Sequence, residues 1–226
     1  MRYKIFALDD NALTVEFGNK ISGRLNTHVV NLARLFDRSS FPGIIEIVPA
    51  YASLTIFYNV SIVEKNFTQF PTAFAAVKSF TEKALGNLEI VAETNARLNE
   101  IPICFDAQYA LDLESIAASN NLSPENFIEI FLARTYRVYM LGFLPGFAYM
   151  GEVDERLVVP RKEIPRLKVP KGSVGIAGKQ TGIYSLESPG GWQIIGRTNI
   201  ELFTPNKEKP TYLQAGDAVK FFQAVF

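Results

Sequence analysis

Tyr139-Met-Leu-Gly-Phe-Leu-Pro-Gly-Phe-Ala-Tyr-Met-Gly151, the units Pro160-Arg161 and Pro165-Arg166, Gly175-Ile-Ala-Gly-Lys-Gln-Thr-Gly-Ile-Tyr184 and Ser188-Pro-Gly-Gly-Trp-Gln-Ile-Ile-Gly-Arg-Thr198 form the stretch that decides the fold. Gly and Pro interrupt short apolar runs every few residues, so the backbone must turn repeatedly while Phe, Tyr and Trp side chains are brought together. A pocket with aromatic walls and a few polar groups from loops is the expected object.

Working outward, short strands are expected near Tyr136 to Leu141, Leu157, Val174, Ile183, Gln193 and Val219, separated by Gly or Pro turns, which points to a barrel closing its edges. Ahead of them lie a strand at Pro102 to Phe105 and a short helix from Leu111 to Ala118. A second helix opens on Ser123 as N-cap with Pro124 in its first turn and runs to about Leu132. The N-terminal part reads as strands Tyr3 to Leu8 and Ala12 to Phe17, then a helix whose Leu25, Val29, Leu32 and Phe36 recur at helical spacing. Strands Ile44 to Val48 and Leu54 to Tyr58 follow, and then a helix carrying Phe70, Phe74, Val77, Phe80 and Leu85. This order predicts an α+β chain that begins with a ferredoxin-like α/β sandwich. Glu89 to Leu98 reads as a helix end or linker, with domains at 1–95 and 96–226.

The 226 residues, 48% of them hydrophobic, are ample for a buried core, and 23 basic against 23 acidic residues leave no net charge. Neither a nucleic-acid surface nor an anionic-membrane surface has compositional support, and no apolar run is long enough to span a bilayer. One cysteine, Cys104, excludes an internal disulfide and fits a cytoplasmic protein. In the apolar run Ile101 to Phe105 it reads as packing.

The single histidine, His28, argues against a Ser-His-Asp or Cys-His arrangement and against a histidine-rich zinc site. It reads as a surface or half-buried structural residue. Arg161 and Arg166 each follow a proline, so their guanidinium groups either converge on one planar anion or make two surface salt bridges. Lys168 and Lys171 lie nearby. Gly190 and Gly191 are free to take positive φ and turn backbone N–H groups toward an anion, the alternative being a plain turn before a strand. Trp192, Gln193 and Arg197 follow that turn, and Tyr184, Phe143 and Phe147 are aromatic candidates for the pocket wall. Asp112, Asp154, Glu155 and Glu187 show no spacing that singles out a pair for acid/base work. No phosphate-binding Gly-x-x-x-x-Gly-Lys-Ser/Thr loop is present.

Gly142-Phe-Leu-Pro-Gly-Phe-Ala-Tyr149, the two Pro-Arg units, Gly172-Ser-Val174, Ile183-Tyr184 and Ser188-Pro-Gly-Gly-Trp-Gln193 with Gly196-Arg-Thr198 together resemble the family of 5-oxoprolinase B-type subunits. That family is also called the kinase A inhibitor family or allophanate hydrolase subunit 1, and it forms subdomains C and D of a carboxyltransferase-type domain. The resemblance implies a cyclophilin-like β-barrel after the first domain. It also implies a cytoplasmic, multi-subunit, ATP-dependent 5-oxoprolinase that hydrolyses 5-oxoproline to glutamate. Its partners would be a second carboxyltransferase-like subunit and a lactam-utilisation-like subunit, with ATP acting at the level of the complex. The same resemblance leaves two rivals, a binding-only inhibitor of a sensor histidine kinase and a small-molecule sensor. Two positions depart from the family pattern: Phe131 stands where a histidine is expected and Ser185 where proline usually follows Ile-Tyr. No catalytic residue is assigned.

Overall fold

The structure, a computed structural model, describes residues 2–88 and 96–226. The segment expected as helix end or linker falls mostly on residues 89–95, outside the described residues. The chain divides into two compact units, Met1–Asn95 and Ala96–Phe226.

In the first unit, β1 (Lys4–Asp9), β2 (Ala12–Glu16), β3 (Ile44–Pro49) and β4 (Ser53–Tyr58) form an antiparallel sheet in the order β1-β2-β4-β3. Helix α1 (Gly23–Arg38) lies between the two strand pairs in sequence and buries Val29, Leu32 and Phe36 against Leu54 and Ile56 of β4. Its Asn26 amide donates to the carbonyls of Ala50 and Tyr51 and so fixes the helix to the β3–β4 turn. The second helical region is two helices, α2 (Val60–Asn66) and α3 (Ala73–Gly86). Asn59 and Thr72 explain the break, because each side chain accepts a hydrogen bond from a backbone N–H at a new helix start. His28 is a buried residue, not a surface or half-buried one, and its ring lies 5.7 Å from that of Phe17.

In the second unit, β5 (Leu98–Ile103), β6 (Thr135–Leu141), β7 (Ala148–Gly151), β9 (Ser173–Ala177), β10 (Gln180–Ile183), β12 (Gln193–Arg197) and β13 (Ala218–Gln223) make one sheet in the order β12-β9-β10-β7-β6-β13-β5. It curls until its two edge strands meet, Cys104 and Arg197 exchanging backbone hydrogen bonds of 2.8 and 2.9 Å. Curling gives the inward side chains a common interior, filled by Ile101, Phe127, Phe131, Tyr136, Met150, Ile176 and Phe221. Helices α4 (Leu113–Ser119) and α5 (Pro124–Ala133) pack on this core, and Ser123 caps α5 through the N–H of Asn126. A separate ribbon pairs β8 (Arg166–Val169) with β11 (Ser188–Gly190).

The strand expected near Leu157 is a 3-10 turn, Glu155–Leu157. Asp154 accepts the N–H of Arg156 and satisfies a turn locally, so the apolar run Leu157 to Val159 contributes only one bridge, Val159 to Gly178. Among the described residues, no helix is long and apolar enough to cross a membrane.

Candidate functional site

The sequence between β7 and β12 folds back on itself and gathers most of the candidate residues at one place. Pro160 to Pro165 runs beside the Gly190-Gly191-Trp192 turn: the Lys162 N–H donates to Gly191 O at 2.8 Å, the Gln193 amide donates to Pro160 O at 3.2 Å, and Arg166 pairs with Gly190 across the β8–β11 ribbon. Neither Gly190 nor Gly191 takes a positive φ. The value of Gly190 is thinness: a Cβ there would collide with the Tyr184 hydroxyl, so glycine lets that phenol reach the turn, whereas a Cβ on Gly191 would meet only ordinary contacts.

Phe147, Tyr184 and Trp192 are buried and meet edge to face, with Phe147 5.2 Å from Tyr184 and 5.6 Å from Trp192 at angles of 84° and 89°. These rings pack against one another, and Phe143 lies against their outer edge. Burial pushes the Tyr184 phenol up, while the Trp192 backbone N–H and the charges of Arg161 and Arg166 pull the other way. The shift is upward on balance, so the Tyr184 phenol keeps its proton.

Phe143 lies 5.6 Å from Phe147 and 6.4 Å from Tyr184, with 61% of its surface exposed. Its φ is +70°, and the Leu144 N–H donates to Gly142 O at 2.9 Å, which makes Phe143 the apex of a three-residue turn. A positive-φ γ-turn is rare and strained, and a bulky aromatic at its apex is a true outlier. Three residues on, Gly146 at φ +78° lets the chain pass close to Leu202 O.

The two arginines are used differently. Arg166 is committed within the chain: its Nη1 and Nη2 donate to Asp112 Oδ2 and Oδ1 at 2.8 and 2.7 Å. The same carboxylate accepts from Lys162 Nζ at 3.2 Å and from the Ile194 N–H at 2.7 Å. Burial pushes the Asp112 carboxyl up, but Arg166, the Ile194 N–H and Lys162 outweigh it and hold the group below its ordinary range. Of the two arginines, for which the sequence leaves a shared anion or two surface salt bridges as alternatives, Arg166 has its fork closed on Asp112 within the chain. Arg161, by contrast, is exposed, lies 5.9 Å from the centre of the Trp192 ring, and makes no ion pair among the described residues. Lys162 and Arg166 around Asp112, with Arg161 and Glu163 in the same segment, leave one net positive charge beside the Gly191–Trp192 turn.

Other candidates are placed elsewhere. Arg197 donates through Nε to Lys171 O and lies 5.5 Å from the Tyr109 ring, so it braces the barrel seam. Lys168 and Lys171 pair with Glu187 and Glu201. Phe131 is fully buried against Tyr136 and Phe221, so at this position the chain has a core residue and no titrating group. Ser185 is buried, and its Oγ finds no hydrogen-bond partner among the described residues. Asp112 is the residue without a sequence signal. It lies just before α4 with no spacing relation to Arg166, 54 positions away.

Residues 3–213 match the model of the family described as carboxyltransferase domain, subdomain C and D. The chain is 45% identical to the B-type subunit of 5-oxoprolinase from Bacillus subtilis (strain 168) over 98% of its own length and 92% of that protein's. The crystal structure of TTHA0988 superposes with a TM-score of 0.81 at 34% identity, covering 95% of this chain and 40% of that longer one. The urea carboxylase of Kluyveromyces lactis, 17% identical, matches 99% of this chain and 22% of its own with a TM-score of 0.73, a likeness of fold: mixed α/β with a curled sheet. With nearly its whole length matched, the chain belongs to the carboxyltransferase domain, subdomain C and D, family.

Proposed function

We propose that this chain is the B-type subunit of a cytoplasmic, ATP-dependent 5-oxoprolinase that opens the cyclic amide of 5-oxoproline to give glutamate. The carrying observation is the near-full-length similarity to a protein named as the B-type subunit of 5-oxoprolinase, 45% identical over 222 residues. In this reading Arg161, over Trp192 and without a carboxylate partner among the described residues, takes the substrate's carboxylate, and Tyr184 offers a neutral hydroxyl beside it. Phe143, displayed on its strained turn, faces a second carboxyltransferase-like subunit, and a lactam-utilisation-like subunit brings the ATP chemistry. The curled sheet of the second unit supports a cyclophilin-like barrel at 96–226; the first unit's element order, two strands, a helix, two strands and two helices, is not the β-α-β-β-α-β order of a ferredoxin-like sandwich. The test is reconstitution. The chain alone should release no glutamate from 5-oxoproline and ATP, and the chain with both partner subunits should. Glutamate release by the chain alone, or none by the full set, defeats the proposal.

A further inference from the structure

We propose that Asp112 is a positioning residue for Arg161, holding the Pro160 to Arg166 segment so that the Arg161 guanidinium stays over Trp192. This rests on the reading of Arg161 as the group that meets the substrate anion. Asp112 is joined to β12 twice, its N–H donating to Ile194 O at 2.9 Å and its Oδ2 accepting the Ile194 N–H at 2.7 Å. The carboxylate thus belongs to the barrel, while residues 160–165 of the segment it grips form no helix or strand. Arg161, Lys162 and Arg166 put three cations into that segment against one carboxylate, Glu163, and the net positive charge left there is held together by an anion outside the segment. The Asp112 carboxylate takes Lys162 and Arg166 inward. Arg161 sits between two tethers, Pro160 O held by the Gln193 side-chain amide and the Lys162 N–H held by Gly191 O, with its guanidinium against Trp192. Without the carboxylate, Lys162 and Arg166 turn out to water and the loop follows them, carrying Arg161 off the indole.

Trp192 is the single tryptophan of the chain, so its emission reports this contact directly. The full-length chain is compared with Arg161→Ala, Asp112→Asn and the double variant. Arg161→Ala should change the Trp192 emission, Asp112→Asn should change it in the same sense, and the double variant should add nothing further. Wild-type emission in Asp112→Asn, an additive double variant, or an Arg161→Ala spectrum identical to wild type overturns the proposal. Should Asp112→Asn fail to fold, Lys162→Met leaves the Arg166 fork in place and loosens one tether. It should give a smaller shift of the same sign, and no shift overturns the proposal equally. In the reconstituted complex, Asp112→Asn and Arg161→Ala should each raise KM for 5-oxoproline roughly tenfold or more, with kcat changed far less. A wild-type complex without oxoprolinase activity defeats the function proposed above, and the emission series then still decides whether Asp112 positions Arg161.

Discussion

Replacing Arg166 by alanine should destabilise the C-terminal unit by about 2 to 4 kcal/mol. The variant strips two charge-assisted hydrogen bonds from a carboxylate that is only 5% exposed and leaves it with Lys162 and one backbone N–H. Each such bond is worth roughly 1.5 to 3 kcal/mol, but Arg166 is itself 23% exposed, and water enters the gap it leaves, so the sum is reduced. At about 3 °C per kcal/mol for a unit of this size, the melting temperature should drop by about 6 to 12 °C. Urea unfolding followed by Trp192 emission isolates the C-terminal unit, and far-UV circular dichroism reports both units, which need not unfold together. Lys171→Ala is the control. Lys171 approaches Glu201 to 2.6 Å, yet the two side chains are 41% and 52% exposed, so its loss should cost about 0 to 1 kcal/mol. The pH dependence has a definite sign. The folded carboxyl of Asp112 titrates below its ordinary value of 3.8, so its contribution is present above that pH and is lost as pH falls through the folded value. The gap between wild type and Arg166→Ala should therefore narrow below about pH 4. An Arg166→Ala midpoint as close to wild type as that of Lys171→Ala would refute the view that burial, not distance, sets the strength of this pair.

Phe143→Gly should be more stable than Phe143→Ala by about 1 kcal/mol, because both lose the ring but only glycine relieves the positive φ; equal thermal midpoints would remove the case for strain. His28 titrates below its ordinary 6.5, first because burial disfavours the imidazolium and then because Arg24 repels it. The unfolded chain then binds the extra proton, so stability is present above pH 6.5 and is lost as pH falls toward the folded value. Thermal midpoints between pH 7 and 5.5 should fall in wild type and stay flat in His28→Phe, and parallel slopes in the two would contradict this. His28 is the chain's single histidine, which keeps that comparison free of other imidazoles.

The sequence alone carried whatever depends on neighbours along the chain. The helical spacing of Val29, Leu32 and Phe36 marks the buried stripe of α1, Ser123-Pro124 marks the start of α5, and the apolar setting of Cys104 marks a thiol used for packing. Local signals failed where a short-range hydrogen bond competed with the pattern, as at Asp154, where a 3-10 turn replaces the strand expected near Leu157. They failed again where a residue's environment comes from distant segments. Nothing near His28 announces its burial against Phe17, and the Gly190-Gly191 pair gives no hint that thinness of Gly190 under Tyr184, not positive φ, is what it supplies. The different uses of Arg161 and Arg166, both following proline, were decided by the tertiary structure alone. Closure of the barrel brings Asp112 within reach of residues 50, 54 and 82 positions away, and a buried carboxylate takes whichever cations arrive with the right geometry. Pairing of that kind depends on distances in space, and the period of a helix or strand carries no information about them.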